Sequence, residues 1–492
     1  LTDVTGVQTC ALPISTASQK IIRSVILLIC LSAFLLTSLR VIGHGYFPSD
    51  DALRHVAKVV SGKEWHEILV IRPEITMDSH PGWHFILDLV GKTINYDKTL
   101  LLNFSVLSLF LLFTCTPFFL FKRPEAWAAA LLIVTIFSPG IISRLFLGRP
   151  FIFSMFVVLM FCFLWEKIRD KSQPILEIVI YTLLAALSTW IHGTWYLLSL
   201  PLAALFLCKQ WRVFLLMSAA TIVGVFLGAC FTGSPFTFLY QMAYHAIAAM
   251  GKHDFQRQLV TEFHPSTGDF PTLTVVGLLL IWRLARNQWA KDVVYNPVFT
   301  LAVLGWIMGL AIGRFWHDWA FPALIFWISN EIQTVIKANT RNFQLSRILL
   351  IIFLCLSFFL SGSSDFRNRW SRHQILWPDM NNPEHRPWLP DAGGILYNDN
   401  MILFYEVFYK NPNAPWRYIL GFEPIWMPEN HLKMYRKIQL TIGKDESYQP
   451  WINAMTTKDR IILIRNKKPE TKGLEWHEIT PNVWSGNKTT SP

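Results

Sequence analysis

Apolar stretches long enough to cross a lipid bilayer recur along the first three-quarters of this 492-residue chain, and they constrain its fold more than any other feature. Hydrocarbon offers no water to backbone N–H and C=O groups, so a spanning segment must satisfy them internally, as a helix does. A span takes about 17–25 mostly apolar residues. Stretches of that character, several of them shorter, lie near residues 21–42, 99–121, 125–142, 150–165, 174–192, 194–208, 213–231, 272–283, 297–313, 319–336 and 346–361. Residues 174–208 also read as one broken helix. The expectation is an all-α polytopic membrane protein of about eleven transmembrane helices. Composition agrees: 52% of residues are hydrophobic, only 16% are charged and the mean hydropathy is +0.34, whereas soluble domains carry about 25% charged residues.

The net charge of +11 does not point to nucleic acid, because the cations gather at helix ends in alternate connections. Lys20 and Arg23 precede the first span. Lys122-Arg123, Lys167/Arg169/Lys171, Lys209/Arg212, Arg283/Arg286/Lys291 and Lys337/Arg341/Arg347 follow at every second connection. Under the positive-inside rule these ends are cytoplasmic. The amino terminus is then cytoplasmic and the region after residue 361 extracytoplasmic, in a cytoplasmic (inner) membrane. Seven cysteines without a CxxC pair support neither a zinc site nor a disulfide framework.

Three regions follow. Residues 1–15 contain Val4-Thr5-Gly6-Val7-Gln8-Thr9-Cys10-Ala11-Leu12-Pro13-Ile14, which resembles a translated sequencing adapter, and they are set aside from fold reasoning. Residues 16–361 hold the spans and two long outer loops, 43–98 and 232–271. Residues 362–492 are polar, rich in Trp and Pro and without a spanning run. Short apolar runs at Gly394-Ile395-Leu396-Tyr397 and Arg460-Ile461-Ile462-Leu463-Ile464, with helical spacing over 430–442, predict a small extracytoplasmic α/β or α+β domain.

Ionisable residues at the membrane edge are costly and default to functional suspects. The first outer loop supplies Asp50 and Asp51 in Phe47-Pro48-Ser49-Asp50-Asp51-Ala52-Leu53-Arg54-His55, then His80-Pro81-Gly82-Trp83-His84. The adjacent carboxylates repel, so one is expected to have a raised pKa and to serve as general base. Ser49 or Asp50 equally suits a helix N-cap, and the spacing of Leu53, Val56, Val59 and Val60 suits a helix lying flat at the interface. His80 and His84 have the i, i+4 spacing of one helix face. Further along come Arg144 and Arg149, His192, and Arg314, His317 and Asp318. The three arginines either snorkel to headgroups or hold a phosphate through their planar fork. Arg54, His55, His80, His84, His192, His245, His317 and Asp318 are candidate substrate contacts; solvated-loop roles for His245, His253 and His264, and packing for His192, are the plainer alternatives.

These residues, with a long acidic-motif loop directly after the first span, resemble the GT-C superfamily of membrane glycosyltransferases; Pro48-Ser49-Asp50-Asp51 stands where that motif stands. The resemblance implies a polyprenyl-phosphate-linked sugar donor, a lipid, glycan or protein acceptor on the outer face, and Asp50 or Asp51 as base or acceptor support. Arg144, Arg149 and Arg314 would then stabilise the departing phosphate. Some members bind a divalent metal through several acidic residues, but apart from Asp254, Glu262, Asp269 and Asp318 the outer membrane loops show no obvious second acidic motif, so no cofactor is assigned and a metal stays an open alternative. The tail lacks a Trp-Trp-Asp-type motif, which argues against protein N-glycosylation. Tyr418-Ile419-Leu420-Gly421-Phe422-Glu423-Pro424 resembles tails of bacterial relatives without an assigned role.

Three rival readings remain. A transporter or flippase of a lipid-linked anion predicts inverted repeats and deep arginines, and no repeat is legible. A glycan ligase or polymerase shifts the burden to His245, His253 or His264. A scaffold leaves the clustered charges without a purpose.

Overall fold

The computed structural model describes residues 16–48, 50–250, 263–286, 293–339, 344–371, 375–441 and 443–488. The adapter-like segment and the loop residues His253, Asp254, Arg257 and Glu262 lie outside them. Among the described residues six helices are long and apolar enough to cross a membrane: Lys20–Gly43 within α1 (Thr16–Gly43), α5 (Lys98–Leu120), α8 (Phe151–Asp170), α9 (Ile175–His192), α11 (Trp211–Cys230) and Leu345–Gly362 within α16 (Gln344–Gly362). A seventh is available if the pair α6 (Pro124–Phe137) and α7 (Pro139–Leu145), bent by 112°, counts as one span.

The expected count of about eleven is therefore not confirmed. The shortfall has local causes. Pro139 follows Ser138 and breaks the third expected span, since proline cannot continue the ladder of the preceding turn. Gly193, at φ +69°, ends α9 in the left-handed conformation, so residues 174–208 form two helices. The second part is the shorter apolar helix Trp195–Leu207, comprising a 3₁₀ turn and α10 (Ser199–Leu207). α13 (Phe270–Ala285) and α14 (Pro297–Gly309) are also short. α15 (Phe321–Asn339) is interrupted in character by Ser329, Asn330 and Glu331.

Close packing and internal pairing hold the bundle together. Gly224 and Gly228 lie one turn apart on α11, and a Cβ at either would collide with the α9 carbonyl of Thr182 or Ala186. Small residues at this spacing let two backbones approach without side-chain cost. Two buried carboxylates are neutralised by arginines: Arg283 grips Glu331 through Nε (2.5 Å) and Nη2 (2.8 Å), and Arg347 Nε reaches Glu125 at 2.6 Å. The described cysteines are free thiols.

The carboxy-terminal region is the expected mixed domain. Its sheet has the order β2-β1-β3-β5-β4, from β1 (Ile395–Tyr397), β2 (Arg417–Tyr418), β3 (Arg460–Ile464), β4 (Leu474–Thr480) and β5 (Val483–Lys488). β1 pairs parallel with β2 and β3; β5 pairs antiparallel with β3 and β4. Ile461, Ile462 and Leu463 are wholly buried, as suits a central strand covered on both faces. α17 (Met401–Lys410) and α18 (Glu429–Leu440) pack around it, the latter where helical spacing predicts.

The edge strand β2 is not left open. The first long loop lies along it, with Leu69 bridging to Tyr418, Val70 N–H donating to the Tyr418 carbonyl (2.9 Å) and Arg72 N–H to that of Trp426 (2.9 Å). Arg72 also donates to the Met427 carbonyl (2.7 Å) and pairs with Glu429 (2.9 Å). This β-addition satisfies the edge and fixes the segment Gly421–Trp426 over the ends of the membrane helices.

Residues 50–60 do form a helix, α2 (Asp51–Ser61), but not one lying flat at an interface. Ala52 through Lys58 are all buried, because α2 is wedged among α4 (Pro81–Thr93), α5 and α17. One hydrophobic core runs from Cys30 in the bundle through Trp65 and Trp83 to Phe404 and Tyr418 in the carboxy-terminal domain.

Candidate active site

Asp50 is the N-cap of α2, in extended conformation (φ −155°), and its carboxylate accepts from Asp51 N–H at 2.6 Å. The capping expectation is met, and the acid pair is also charged partner to two arginines. Arg54 Nε donates to Asp51 Oδ1 at 2.8 Å. Arg149, from the turn that opens α8, donates through Nη2 to Asp50 Oδ1, and its Nε lies 3.7 Å from Asp51 Oδ2.

This geometry corrects the expected raised pKa at Asp51. Burial pushes that carboxyl up, but the guanidiniums of Arg54 and Arg149 outweigh it and hold the group well below the usual carboxylate range. The mutual repulsion inferred from adjacency is outweighed by Arg54, one turn along the same helix, and by Arg149 from the start of α8.

Behind the acid pair lies a chain of imidazoles. Asp78 Oδ2 meets His84 Nδ1 at 2.5 Å, and His84 Nε2 meets His55 Nδ1 at 2.8 Å. His80 does not share a helix face with His84: it is the N-cap of α4, at φ −135° and ψ 43°, with Pro81 at the first helical position. Its N–H donates to Asp78 (3.0 Å) and its Nδ1 meets Ser79 Oγ (2.7 Å). The ring stands 4.8 Å from that of His55 and 5.6 Å from that of His192.

Burial, then the nearby Arg54 charge, pushes His55 and His80 well below their ordinary value of 6.5, so both are neutral at pH 7. The unfolded chain binds those protons more readily, so their contribution to stability is fully present above pH 6.5 and declines as pH falls below it. The expected outcome is a melting temperature in detergent that drops between pH 7 and pH 5. The drop should be smaller in His55→Asn, and an equal drop in that variant would assign it to other groups.

The opposite wall comes from the π-helical turn Trp316–Ala320, a helix irregularity common at functional sites. Its Asp318 accepts from Arg144 (Nε 3.0 Å, Nη2 2.8 Å) and from Arg314 Nε (3.0 Å). Arg314 Nη2 lies 3.5 Å from His192 Nε2. His192 Nδ1 meets the hydroxyls of Ser154 (2.8 Å) and Thr194 (2.9 Å).

Between these walls is a cavity of about 1100 Å³, counting the space that opens to solvent. Asp51, Arg54, His80, Arg149, His192, His245 and Arg314 line it. Asp50, His55, His84, Arg144, His317 and Asp318 do not; Asp50, His55, Arg144 and Asp318 touch a residue that does, and His84 backs one through His55. Three guanidiniums face two carboxylates there, and one of the two was missed by sequence reasoning: Glu423, carried over the cavity with Phe422, Ile425 and Trp426 by the carboxy-terminal domain. The Arg54 guanidinium lies 3.7 Å from the Phe422 ring centre, a cation–π contact. Arg54 Nη1 is buried without a hydrogen-bond partner among the described residues. Asp78 was also missed, and its signal was the Asp-Ser-His-Pro turn that starts α4. His264 stays away from the cavity lining, its carbonyl accepting from Gly313 N–H. Among the described residues no group of three or more His, Cys, Asp or Glu side chains is placed to hold a metal ion.

No protein-family model matches the sequence, and no curated protein does. Solved structures match the fold. The archaeal oligosaccharyltransferase AglB from Archaeoglobus fulgidus, in complex with an inhibitory peptide and a dolichol-phosphate, superposes with a TM-score of 0.54 at 10% identity, over 88% of this chain and 69% of its own. Another Archaeoglobus fulgidus oligosaccharyltransferase structure, tethered with an acceptor peptide containing the NVT sequon, gives 0.49 at 10% identity over 88% and 68%. The chain thus shares its fold with the archaeal oligosaccharyltransferase AglB, and the resemblance stated from the sequence is borne out at the level of the fold.

Proposed function

We propose that this protein is a membrane glycosyltransferase that moves one sugar from a polyprenyl-phosphate donor to an acceptor hydroxyl on the outer membrane face. The observation that carries the reading is the cavity itself. Arg54, Arg149 and Arg314 converge on it with Asp51 among them, and the buried Arg54 Nη1 has no acceptor among the described residues. An anionic ligand supplies that acceptor. The structure of AglB with a dolichol-phosphate has the same fold, which supports a lipid-linked phosphate as the anion.

In this reading the acceptor oxygen attacks the anomeric carbon from the side opposite the phosphate. The new C–O bond forms as the bond from carbon to phosphate oxygen breaks, and the leaving polyprenyl phosphate keeps the electron pair. The anomeric configuration inverts. The acceptor proton passes to Asp51, the carboxylate that faces the cavity. Charge grows on the phosphate as it departs, so fixed guanidiniums favour the transition state over the ground state. Arg144 supports this arrangement from behind through Asp318. Acceptors of lipid, glycan or protein nature fit equally.

The test is transfer by purified protein in detergent, given radiolabelled polyprenyl-phosphate sugars and a pool of membrane-lipid, glycan and peptide acceptors. Label should move to an acceptor with inverted linkage, releasing polyprenyl phosphate. Movement of intact donor across vesicle bilayers without transfer would replace the enzyme reading with a transporter.

A further inference from the structure

Asp50 and Asp51 are neighbours in sequence with different surroundings. Asp51 lines the cavity and Asp50 does not. Asp50 is held by its bond to Asp51 N–H, and its charge is spent on Arg149. Arg149 in turn lines the cavity. Its backbone is anchored on both sides: the Gly148 carbonyl accepts from Ser105 Oγ at 2.7 Å, and Pro150 caps α8. Movement at Arg149 is therefore movement of the side chain alone.

We propose that Asp50 is a positioning residue acting through Arg149, and that the donor phosphate takes Arg149 over from the carboxylates when it binds. The inference rests on the donor reading given above. One edge of a guanidinium directs its N–H groups at one anion at a time. In the resting site that anion is Asp50, with Asp51 Oδ2 at 3.7 Å from Nε. A phosphate in the cavity competes for the same fork without meeting Asp50. The other two cavity arginines differ. Arg54 is tied to Asp51 and stacked on Phe422, and Arg314 is tied to Asp318, whose second arginine stays in place. Asp50 and Asp318 both stand outside the cavity, but of these two arms Arg149 is the one that also faces Asp51.

The exchange has a consequence for chemistry. With Arg149 on the phosphate, Asp51 keeps one guanidinium instead of two, and its affinity for the acceptor proton rises. Proton acceptance is then coupled to donor occupancy, and an acceptor arriving first meets a carboxylate held by both arginines.

Competition gives an unusual sign. Removing the Asp50 charge should tighten binding of an anion in the cavity, because Arg149 no longer has to leave a partner. The lost orientation is small, since Asp51 still faces the same guanidinium. The probe is polyprenyl phosphate without sugar, titrated into detergent-solubilised protein. Asp50→Asn should lower its Kd about tenfold, the order of a close charge-pair coupling. Asp50→Ser, which also caps a helix, should do the same if the Asn variant fails to fold, and Asp50→Glu should stay within about twofold of wild type. In an Arg149→Gln background the Asp50→Asn effect should vanish. Unchanged or weaker binding in folded Asp50→Asn and Asp50→Ser overturns the proposal, and so does equal tightening without Arg149, which would be a general charge effect. Wild-type protein that binds no polyprenyl phosphate overturns the donor reading and the exchange with it.

Discussion

Asp51→Asn should lower sugar transfer by about 10²–10⁴-fold, the range a positioned general base supplies. Asp51 is the acid-pair carboxylate that faces the cavity, so the loss should appear in kcat while donor binding persists. Two effects of the substitution need separating. The amide cannot accept the acceptor proton, and it also leaves Arg54, whose side chain is 3% exposed, without its carboxylate. Breaking a buried pair in this way costs about 3 kcal/mol of stability. Stability and activity are therefore measured on the same preparations, by melting in detergent and by turnover of bound donor. A folded Asp51→Asn protein that retains transfer within about tenfold of wild type removes Asp51 from the chemistry.

Arg314→Gln should lower kcat by about 10²-fold, as removal of one preorganised contact to developing charge does elsewhere. The protein should stay folded, because Asp318 keeps Arg144 at 2.8–3.0 Å after Arg314 is gone. Arg314→Lys should recover little, since an ammonium lacks the planar fork that can hold a carboxylate and a phosphate together. Arg144→Gln makes the contrast. Arg144 does not line the cavity, so its loss should act indirectly, leaving Asp318 to draw Arg314 alone and weakening donor affinity more than kcat. Equal kcat losses in the two variants would place both arginines on the phosphate.

The acid-pair loop was legible in the sequence for a physical reason. Charged residues beside a hydrocarbon layer are expensive, so Asp50, Asp51, Arg149 and Arg314 stood out against an apolar background. Local chemistry at α2 was also legible: an acidic cap before an apolar run. The relations among these residues were not. The i, i+4 spacing of His80 and His84 suggested a shared face, but the cap residue of a helix has non-helical backbone, and His80 turns to the cavity while His84 is buried on His55. Adjacency suggested repulsion between Asp50 and Asp51, but Arg54 on the same helix and Arg149, 99 residues from Asp50, together reverse the sign at Asp51. Hydropathy marked where the chain is apolar, but not where Pro139 breaks a span or where the break at Gly193 leaves the following helix short.

What the sequence determined by itself is the class of solvent and the kind of polar group set at its edge. Apolar length and charge placement are additive along a chain, so a membrane bundle, a polar carboxy-terminal domain and an unusual set of carboxylates, arginines and histidines can be read one residue at a time. Only the tertiary structure decided which of them meet. The Gly421–Trp426 segment reaches the cavity because β2 is an edge strand that the first long loop completes, and Glu423 therefore faces Arg54 and Arg314 across one space. Pairings of that kind depend on sheet order and helix crossings, which no local pattern encodes. The protonation of Asp51 follows partly from those pairings, because Arg149, one of the two charges that set it, belongs to another segment of the chain.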